Sequence, residues 1–393
     1  SPAAYPEPTS AVQHLQTHIS HIFLTDCYAY KIKKPVDFGF LNFTTLEKRR
    51  FYCHEELRLN RRLSPDIYLE VVALRDDGQG GLTFFGEGAV REYAVKMRRM
   101  PAERIMARLL ELGAVTEAEI TQIAEKVAGF HAAAERDHAI ASFGSRAMIR
   151  ENWNENLQQV ASYIGQTLSS SDHRLISDWV TSCLECNREL LEQRVQQGFI
   201  RDCDGDLHSE NICLDDQVHI FDCIEFNEKF RYSDTAADVA FLAMDLENHG
   251  RRDLAEKFVA DYETVSNDFS LRGVLPLYLV NRAFIRGKVE SFRLDDPLIS
   301  ALEKEAAAER ARRFFRLARG YILRERLGPT LMITCGLTGC GKSAIAAELA
   351  FQLGIEHISS DSERKHLAGV ALTERNPAIY TDQWNYATYQ QLY

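Results

Sequence analysis

No run of apolar residues in this 393-residue chain approaches the ~18 that span a bilayer, and residues 1–20 lack the charged-then-apolar profile of a secretion signal. The nine cysteines are odd in number and widely scattered, which excludes a disulfide framework, so the expected compartment is a reducing cytoplasm. Cations are in short supply: Lys plus Arg is 46 against 57 for Asp plus Glu, a formal charge of −11. Sequence-independent nucleic-acid binding needs clustered cations, so neither a nucleic acid nor a membrane is an expected partner. Ten prolines and 22 glycines are too few for a collagen-like or low-complexity chain, and 45% apolar with 26% charged residues is an ordinary globular balance. At ~150 residues per domain, the length predicts two or three domains.

What is present divides into three stretches. Residues 1–13, opening SPAAYPEPTS, read as a flexible tail. Residues 14–327 form an α+β unit whose first part, about 14–97, is a small β-rich lobe. There the text IFLTDCYAYKIKKP predicts two short strands broken near Thr25-Asp26. A helical stretch over 45–63 and strands around 68–75, 82–86 and 91–97 follow, five strands with one inserted helix. From about 101 to 327 the text is mostly helical, interrupted by a strand-rich island at 198–226. Thr116 with Glu119 predicts a capping box ahead of the apolar series Ile120, Ile123, Val127, Phe130. Ala307, Ala311, Phe314, Ala318 and Tyr321 mark the buried face of a long last helix, whose arginines then face solvent. Gly328-Pro329 is the best domain boundary, and residues 328–393 open a new α/β unit: strand LMITC, glycine loop, helix. Only 65 residues follow Gly328, and the text stops at Tyr393 within a helical pattern, so this unit is expected to be truncated.

The island reads DGDLHSENICLDDQVHIFDCIEF. Asp206 and Asn211 are five apart, and a hairpin returns Asp222 beside them. Phosphoryl transfer needs this set: a carboxylate, Asp206, to orient and deprotonate a hydroxyl, and two oxygen ligands, Asn211 and Asp222, for Mg²⁺ on the phosphates. The same chemistry calls for a phosphate-binding lysine on the third strand and a helix glutamate to hold it. YAYK (Tyr28 to Lys31) has the valine-alanine-x-lysine form, which selects Lys31. Lys33 lies on the same strand face and is its rival. In the helix Glu55 and Glu56 compete, and Glu56, three residues before Leu59, is preferred.

On these residues the chain resembles the aminoglycoside phosphotransferase-like branch of the protein-kinase fold, whose catalytic loop runs histidine-glycine-aspartate-leucine-histidine-x-x-asparagine. More closely it resembles a bacterial family that fuses such a domain to a P-loop domain. The likeness rests on THIS (17 to 20), YKIKKPVDFGFLNFTTLEKR, LNRRLSPDIYLEV, YAVKMRRMP, GDLHSENICL and FDCIEFNEKFRYSDTAADVAFLAMDLE. The resemblance implies a bilobal fold with ATP, or alternatively GTP, between the lobes and its adenine near the hinge VKMRR, at Met97 and Arg98. It implies Asp206 as base, Asn211 and Asp222 as metal ligands and Lys31 on the phosphates; His208 and Glu225 belong to the motif. The family's first histidine is Asp204 here, which bears on the support of the catalytic loop. No glycine-rich loop stands between the first two strands, as in the small-molecule branch.

GLTGCGKS fits a phosphate-binding loop of the Walker A type. Gly336, Gly339 and Gly341 free backbone N–H groups to surround a phosphate, Lys342 reaches the terminal phosphates, and Ser343 holds Mg²⁺. No second strand ending in an acidic residue follows. HISSDSERK resembles a segment of small P-loop kinases related to gluconate kinase, with Asp361 and Arg364 toward a substrate. Cys183 and Cys186 form a C-x2-C within helical text and read as packing, not zinc. Arg286 and Lys288 in NRAFIRGKV are placed to touch a substrate or the P-loop nucleotide. The expectation is an ATP- and Mg²⁺-dependent phosphotransferase acting on a small hydroxylated molecule. Its rivals are a P-loop ATPase with a ligand-sensing kinase-like part, and a nucleotide-binding pseudokinase.

Overall fold

The structure is a computed structural model that describes residues 1–297, 299–328, 330–337, 339–353, 355, 357–372 and 374–392. Pro329 of the expected boundary, Thr338 of the glycine loop and Tyr393 lie outside these described residues. The first lobe is one antiparallel sheet of six strands in the order β1-β2-β3-β6-β4-β5. They are β1 (Gln13–Gln16), β2 (Ser20–Leu24), β3 (Tyr28–Lys33), β4 (Tyr68–Asp76), β5 (Leu82–Thr83) and β6 (Val90–Arg98). Helix α1 (Leu46–Asn60), capped by the Thr45 hydroxyl on the Lys48 N–H, packs on one face through Cys53 against Ile67, Tyr68 and Val95. Strand β1 is an addition to the expected five. Its text QHLQ carries no apolar alternation, because every residue of this edge strand is exposed.

Residues 1–13 are not a free tail. Tyr5 is buried edge-on against Tyr30, Phe84 closes the cluster, and Glu7 accepts a hydrogen bond from the Tyr30 hydroxyl at 2.7 Å. An aromatic ring and a paired carboxylate offset the ordering of so polar a segment, and proline spacing carries no signal of either.

The second lobe is helical: α2 (Met106–Glu111), α3 (Glu117–Ala133), α4 (His138–Ser142), α5 (Arg146–Gln159), α6 (Ser170–Cys186) and α7 (Arg188–Gln196). The Thr116–Glu119 capping box is present, and Ile120, Ile123, Val127 and Phe130 are buried. Two small ribbons follow, β7 (Ile200–Asp202) paired with β10 (Tyr232–Asp234) and the hairpin of β8 (Ile212–Leu214) and β9 (Val218–Ile220), with α8 (Glu228–Arg231) between them. Then come α9 (Thr235–Asn248), α10 (Arg252–Ser266), α11 (Leu271–Phe292) and α12 (Ala301–Leu327). The α12 face named from the sequence, from Ala307 to Tyr321, is buried in the core of this lobe.

Beyond Gly328 lie α13 (Lys342–Leu353), α14 (Ser360–Leu367) and α15 (Asp382–Leu392). The expected strand at Leu331 to Cys335 does not form: the segment has no regular structure, with Leu331 and Ile333 more than four-fifths exposed. Among the described residues no second strand of this unit lies beside it, and an apolar parallel strand is stable only between neighbours. α13 rests on α12 at Gly320, where a Cβ would stand 2.9 Å from the Gln352 carbonyl oxygen. Among the described residues no helix is long and apolar enough to cross a membrane.

Candidate active site

The pleat of β3 puts Ala29, Lys31 and Lys33 on one face. All three are buried, and Ala29 stands opposite Met97 of β6 in register. The Lys31 ammonium is 2.9 Å from Glu56 Oε1, an ion pair outside hydrogen-bonding angle, and bonds Asp222 on its other side. The Lys33 ammonium donates to Glu56 Oε2 at 2.7 Å and bonds Glu225. Glu56 thus holds one lysine on each oxygen, while Glu55 turns outward to Arg58 at 2.8 Å. Burial alone would raise the Glu56 carboxyl, but the two ammoniums hold it down to about 2. Burial likewise opposes the charge on Lys31, and Asp222 and Glu56 more than restore it. At Glu225 burial prevails, and its carboxyl is raised.

Among the described residues, Asp222 is one of two non-glycine residues with positive φ, 65°. That conformation costs about 1 kcal/mol or more, and two bonds hold it. The Asp222 N–H donates to the Tyr68 hydroxyl at 3.0 Å, and the Cys223 N–H to Asn60 Oδ1 at 2.9 Å. The turn leaves the Asp222 side chain 44% exposed, while Lys31 and Tyr68 beside it are buried.

The loop from Asp204 to Asn211 hangs from α9. Asp238, in the first turn of that helix, accepts the N–H groups of Asp204 at 2.8 Å and Gly205 at 3.0 Å. Arg282 of α11 donates to the Gly205 carbonyl at 3.2 Å. At Gly205, φ is 88° and a Cβ would meet the Phe230 carbonyl oxygen at 2.8 Å, so only glycine fits. Asn211 Nδ2 donates to both the carbonyl and Oδ2 of Asp206, each at 3.1 Å, and His208 Nε2 stands 3.4 Å from the same Oδ2. Burial would raise Asp206, but His208 and then Arg286 and Arg282 bring its carboxyl below the ordinary range. Farther along, Asp245 of α9 takes the Ser209 N–H at 2.9 Å.

Asp204, the residue in place of the family histidine, is 1% exposed. Its Oδ1 accepts the Asp206 N–H at 3.1 Å and its Oδ2 has no hydrogen-bond partner. Burial first, and then the facing Asp238 carboxylate, push it up to about 8. Burial and the facing carboxylate thus both favour the protonated form of the carboxyl that supports the loop.

Other expected residues are placed differently. Met97 is half-buried against the Ile67, Tyr68 and Val95 cluster. The Arg98 guanidinium bonds His219 Nε2 at 2.8 Å and Asp215 at 3.2 Å, so its side chain ties the hinge to the β8–β9 hairpin. In the glycine loop Gly339 and Gly341 have φ of 82° and 87°, and Lys342 donates to the carbonyls of Gly336 at 2.8 Å and Leu337 at 2.7 Å. Lys342 opens α13 and Ser343 follows it in the first turn. Asp361 accepts the Tyr380 hydroxyl at 2.6 Å, and Arg364 donates to Asn385 at 3.0 Å; among the described residues neither bonds Lys342 or Ser343. Cys183 and Cys186 join no cluster of metal-ligand type among the described residues.

Asp238, Asp245 and Arg282 escaped the sequence reading. Their signal was there: two carboxylates seven apart in the otherwise apolar text from Ala236 to Leu246 share a helix face, and a buried face does not carry charge without a partner.

Comparison with known proteins bears on this geometry. The pattern of the phosphotransferase enzyme family matches residues 48–276, more than half of the chain, and that of an AAA domain matches residues 331–393. Uncharacterized proteins of Mycobacterium bovis and Mycobacterium tuberculosis are 32% identical over 365 residues, 93% of this chain and 70% of theirs. Among solved structures, a choline/ethanolamine kinase family protein from Mesorhizobium loti aligns with TM-score 0.46 and 13% identity, over 78% of this chain and 88% of that one. A glucosamine kinase in complex with glucosamine, ADP and inorganic phosphate aligns with TM-score 0.42 and 14% identity, over 78% and 75%.

Proposed function

The chain belongs to the phosphotransferase enzyme family, and from that membership we propose that its bilobal unit moves the γ-phosphoryl group of ATP to a hydroxyl of a small molecule. The observation that carries the proposal is the Lys31 ammonium held between Glu56 and Asp222, which ties the β-rich lobe to the segment that follows the catalytic hairpin. Lys31 is the phosphate-binding lysine, because it faces the half-open Asp222. Lys33 is sealed between Glu56 and Glu225 with its side chain wholly buried, and acts as the strut beneath it.

Asp206 is the base. Its lowered carboxyl is charged at neutral pH, and Asn211 Nδ2 fixes its orientation, so it can accept the proton as the acceptor oxygen bonds phosphorus and the bond to ADP breaks. Asn211 and Asp222 fit a divalent cation. With Nδ2 spent on Asp206, the Asn211 amide presents its oxygen, and the exposed Asp222 carboxylate supplies a second hard ligand. Mg²⁺ bound there would neutralise charge on the phosphates. The P-loop unit is a second nucleotide-binding unit, its lysine already turned into the cradle.

The test is phosphate transfer from labelled ATP to a metabolite extract, comparing the parent with Asp206→Asn. Transfer in the parent and its loss in Asp206→Asn, with ATP binding kept, is expected. Near-parental transfer by the variant removes Asp206 from the base role.

A further inference from the structure

Exposed apolar side chains usually stand alone, but four phenylalanines gather where the two lobes meet. Phe38 and Phe40 come from the turn between β3 and α1, Phe226 and Phe230 from the segment that follows Asp222. The Phe40 ring centroid lies 6.0 Å from that of Phe226 and 6.1 Å from that of Phe230; Phe226 and Phe230 are 6.2 Å apart, edge to face, and Phe38 stacks on Phe40 at 6.1 Å. Even so packed, Phe38, Phe40 and Phe230 remain 47%, 46% and 38% exposed.

The turn is built to hold its rings outward. Asp37 accepts the Gly39 N–H at 2.9 Å and the Asn42 amide at 2.6 Å, the Phe38 N–H donates to the Leu41 carbonyl at 3.1 Å, and Gly39 supplies a φ of 79°. Leu41 and Phe43 of the same stretch are buried, so it is Phe38 and Phe40 alone that the turn leaves to solvent. Across the lobes the Phe40 carbonyl accepts the Asn227 amide at 3.1 Å.

The patch borders the site just described. Phe43 lies 4.9 Å from the Lys33 ammonium, and Lys33 bonds Glu225, the residue before Phe226. The Phe230 carbonyl stands against Gly205, the residue before Asp206, while the Cys203 N–H donates to the Arg231 carbonyl at 3.1 Å and the Ile224 N–H to the Asp204 carbonyl at 3.3 Å. The segment that carries Phe226 and Phe230 therefore runs alongside the strand that leads into Asp206. At ~200 Å² per phenylalanine, the exposed part of the patch is roughly 250 Å². That is about a third of the ~800 Å² each partner gives to a standard protein interface, and it suits the face of a small ring system. The charged residues that precede the rings are already engaged: Asp37 within the turn, Glu225 with Lys33, and Lys229 with Glu155 at 2.8 Å. These neighbours leave a ligand ring surface rather than charge.

We propose that Phe38, Phe40, Phe226 and Phe230 form an aromatic wall for the acceptor, so that the substrate class is a hydroxylated molecule carrying an uncharged aromatic or alicyclic ring. This rests on the reading of Asp206 as base. Such a ring removes its own apolar face and that of the wall from water together, whereas a polyol has no such face to bury. A quaternary ammonium would meet rings whose flanking carboxylates, Asp37 and Glu225, are spent.

Four alcohols test it on the full chain: benzyl alcohol, cyclohexylmethanol, glycerol and choline, titrated by calorimetry with a non-hydrolysable ATP analogue present. The two ring alcohols should bind more tightly than the others, and their Kd should rise at least fivefold in Phe40→Ala and much less in Phe40→Trp, with the Kd of the ATP analogue unchanged. Phe38→Ala, at the exposed tip of the turn, should weaken the same probes and serves if Phe40→Ala does not fold. Equal or undetectable binding of all four, preference for glycerol or choline, or an unchanged Kd in the variants overturns the proposal. So does self-association of the chain in sedimentation that Phe40→Ala abolishes while ring-alcohol binding stays, which would make the patch a contact between copies. Transfer that is lost in Asp206→Asn yet confined to acceptors without a ring overturns the wall and leaves the base standing. Ring-alcohol binding through Phe40 without any transfer that depends on Asp206 supports the wall and overturns the base instead.

Discussion

Replacing Asp204 by asparagine should make the protein more stable, and by more as the pH rises. In the folded chain burial and the facing Asp238 put this carboxyl at about 8, against 3.8 when solvated. Between those values the folded state holds a proton that the unfolded state has released, so stability falls as pH rises, by roughly 1.4 kcal/mol per unit. The loss begins near pH 4 and is complete above about 8, and at pH 7, about three units above the solvated value, it amounts to roughly 4 kcal/mol. Asparagine does not titrate, and its Oδ1 can keep the bond from the Asp206 N–H, now 3.1 Å. Urea unfolding followed by tryptophan fluorescence, with Trp153 and Trp179 both buried in the second lobe, reads the difference. The advantage of Asp204→Asn over the parent should widen by roughly 4 kcal/mol from pH 5 to pH 8. A difference that stays flat with pH, or a parent that gains on the variant, would refute the argument that Asp204 is protonated. Transfer activity offers a second reading: the parent should lose rate above about pH 8, where Asp204 ionises beside Asp238, and the variant should not.

The two β3 lysines should separate by assay. Lys31→Ala should weaken ATP binding at modest cost to stability, whereas Lys33→Ala leaves Glu56 and Glu225 facing one another in the dark of the core and should cost about 3–5 kcal/mol; calorimetry with ATP and urea unfolding give the two orders, and a reversed pattern would move the phosphate contact by two residues. Asp222→Asn should raise the Mg²⁺ concentration for half-maximal transfer at least tenfold, and overlapping titrations would end its assignment as a ligand. Lys342→Ala should lower nucleotide stoichiometry from two toward one and leave the transfer that depends on Asp206 in place; loss of all activity would show that the units do not work separately.

The local parts of the site were legible because they are consecutive or regularly spaced. Asp206, Asn211 and the hairpin return to Asp222 lie within one loop and one ribbon, and α12 declares its buried face by period alone. Lys31 and Lys33 could not be told apart by alternation, since residues two apart share a face; what separates them is that one meets Asp222 and the other Glu225, both about 190 residues on. Glu56 was separable from Glu55 only weakly by its apolar neighbours, and decisively by burial. The partner of the Arg98 side chain, His219, was not legible either, because a hinge residue's backbone position says nothing of where a long side chain goes. The unpaired segment at Leu331 to Cys335 is the converse case: its composition is that of a strand, but pairing is a property of neighbours.

The ladder of charge from Glu56 through the two lysines to Asp222 and Glu225 also sets a timetable for synthesis. Lys33 and Glu225 are 192 residues apart, and Lys31 and Asp222 are 191 apart. At ~5–20 residues per second a ribosome needs roughly 10–40 s to deliver the second pair of carboxylates after the first strands have emerged. Through that interval the nascent β-rich lobe holds two lysines against the single carboxylate of Glu56, one positive charge too many for the interior it must form. The lobe that comes first off the ribosome thus cannot close by itself, and its sheet stays open to water, and to chaperones, until the segment carrying Asp222 and Glu225 arrives to complete it.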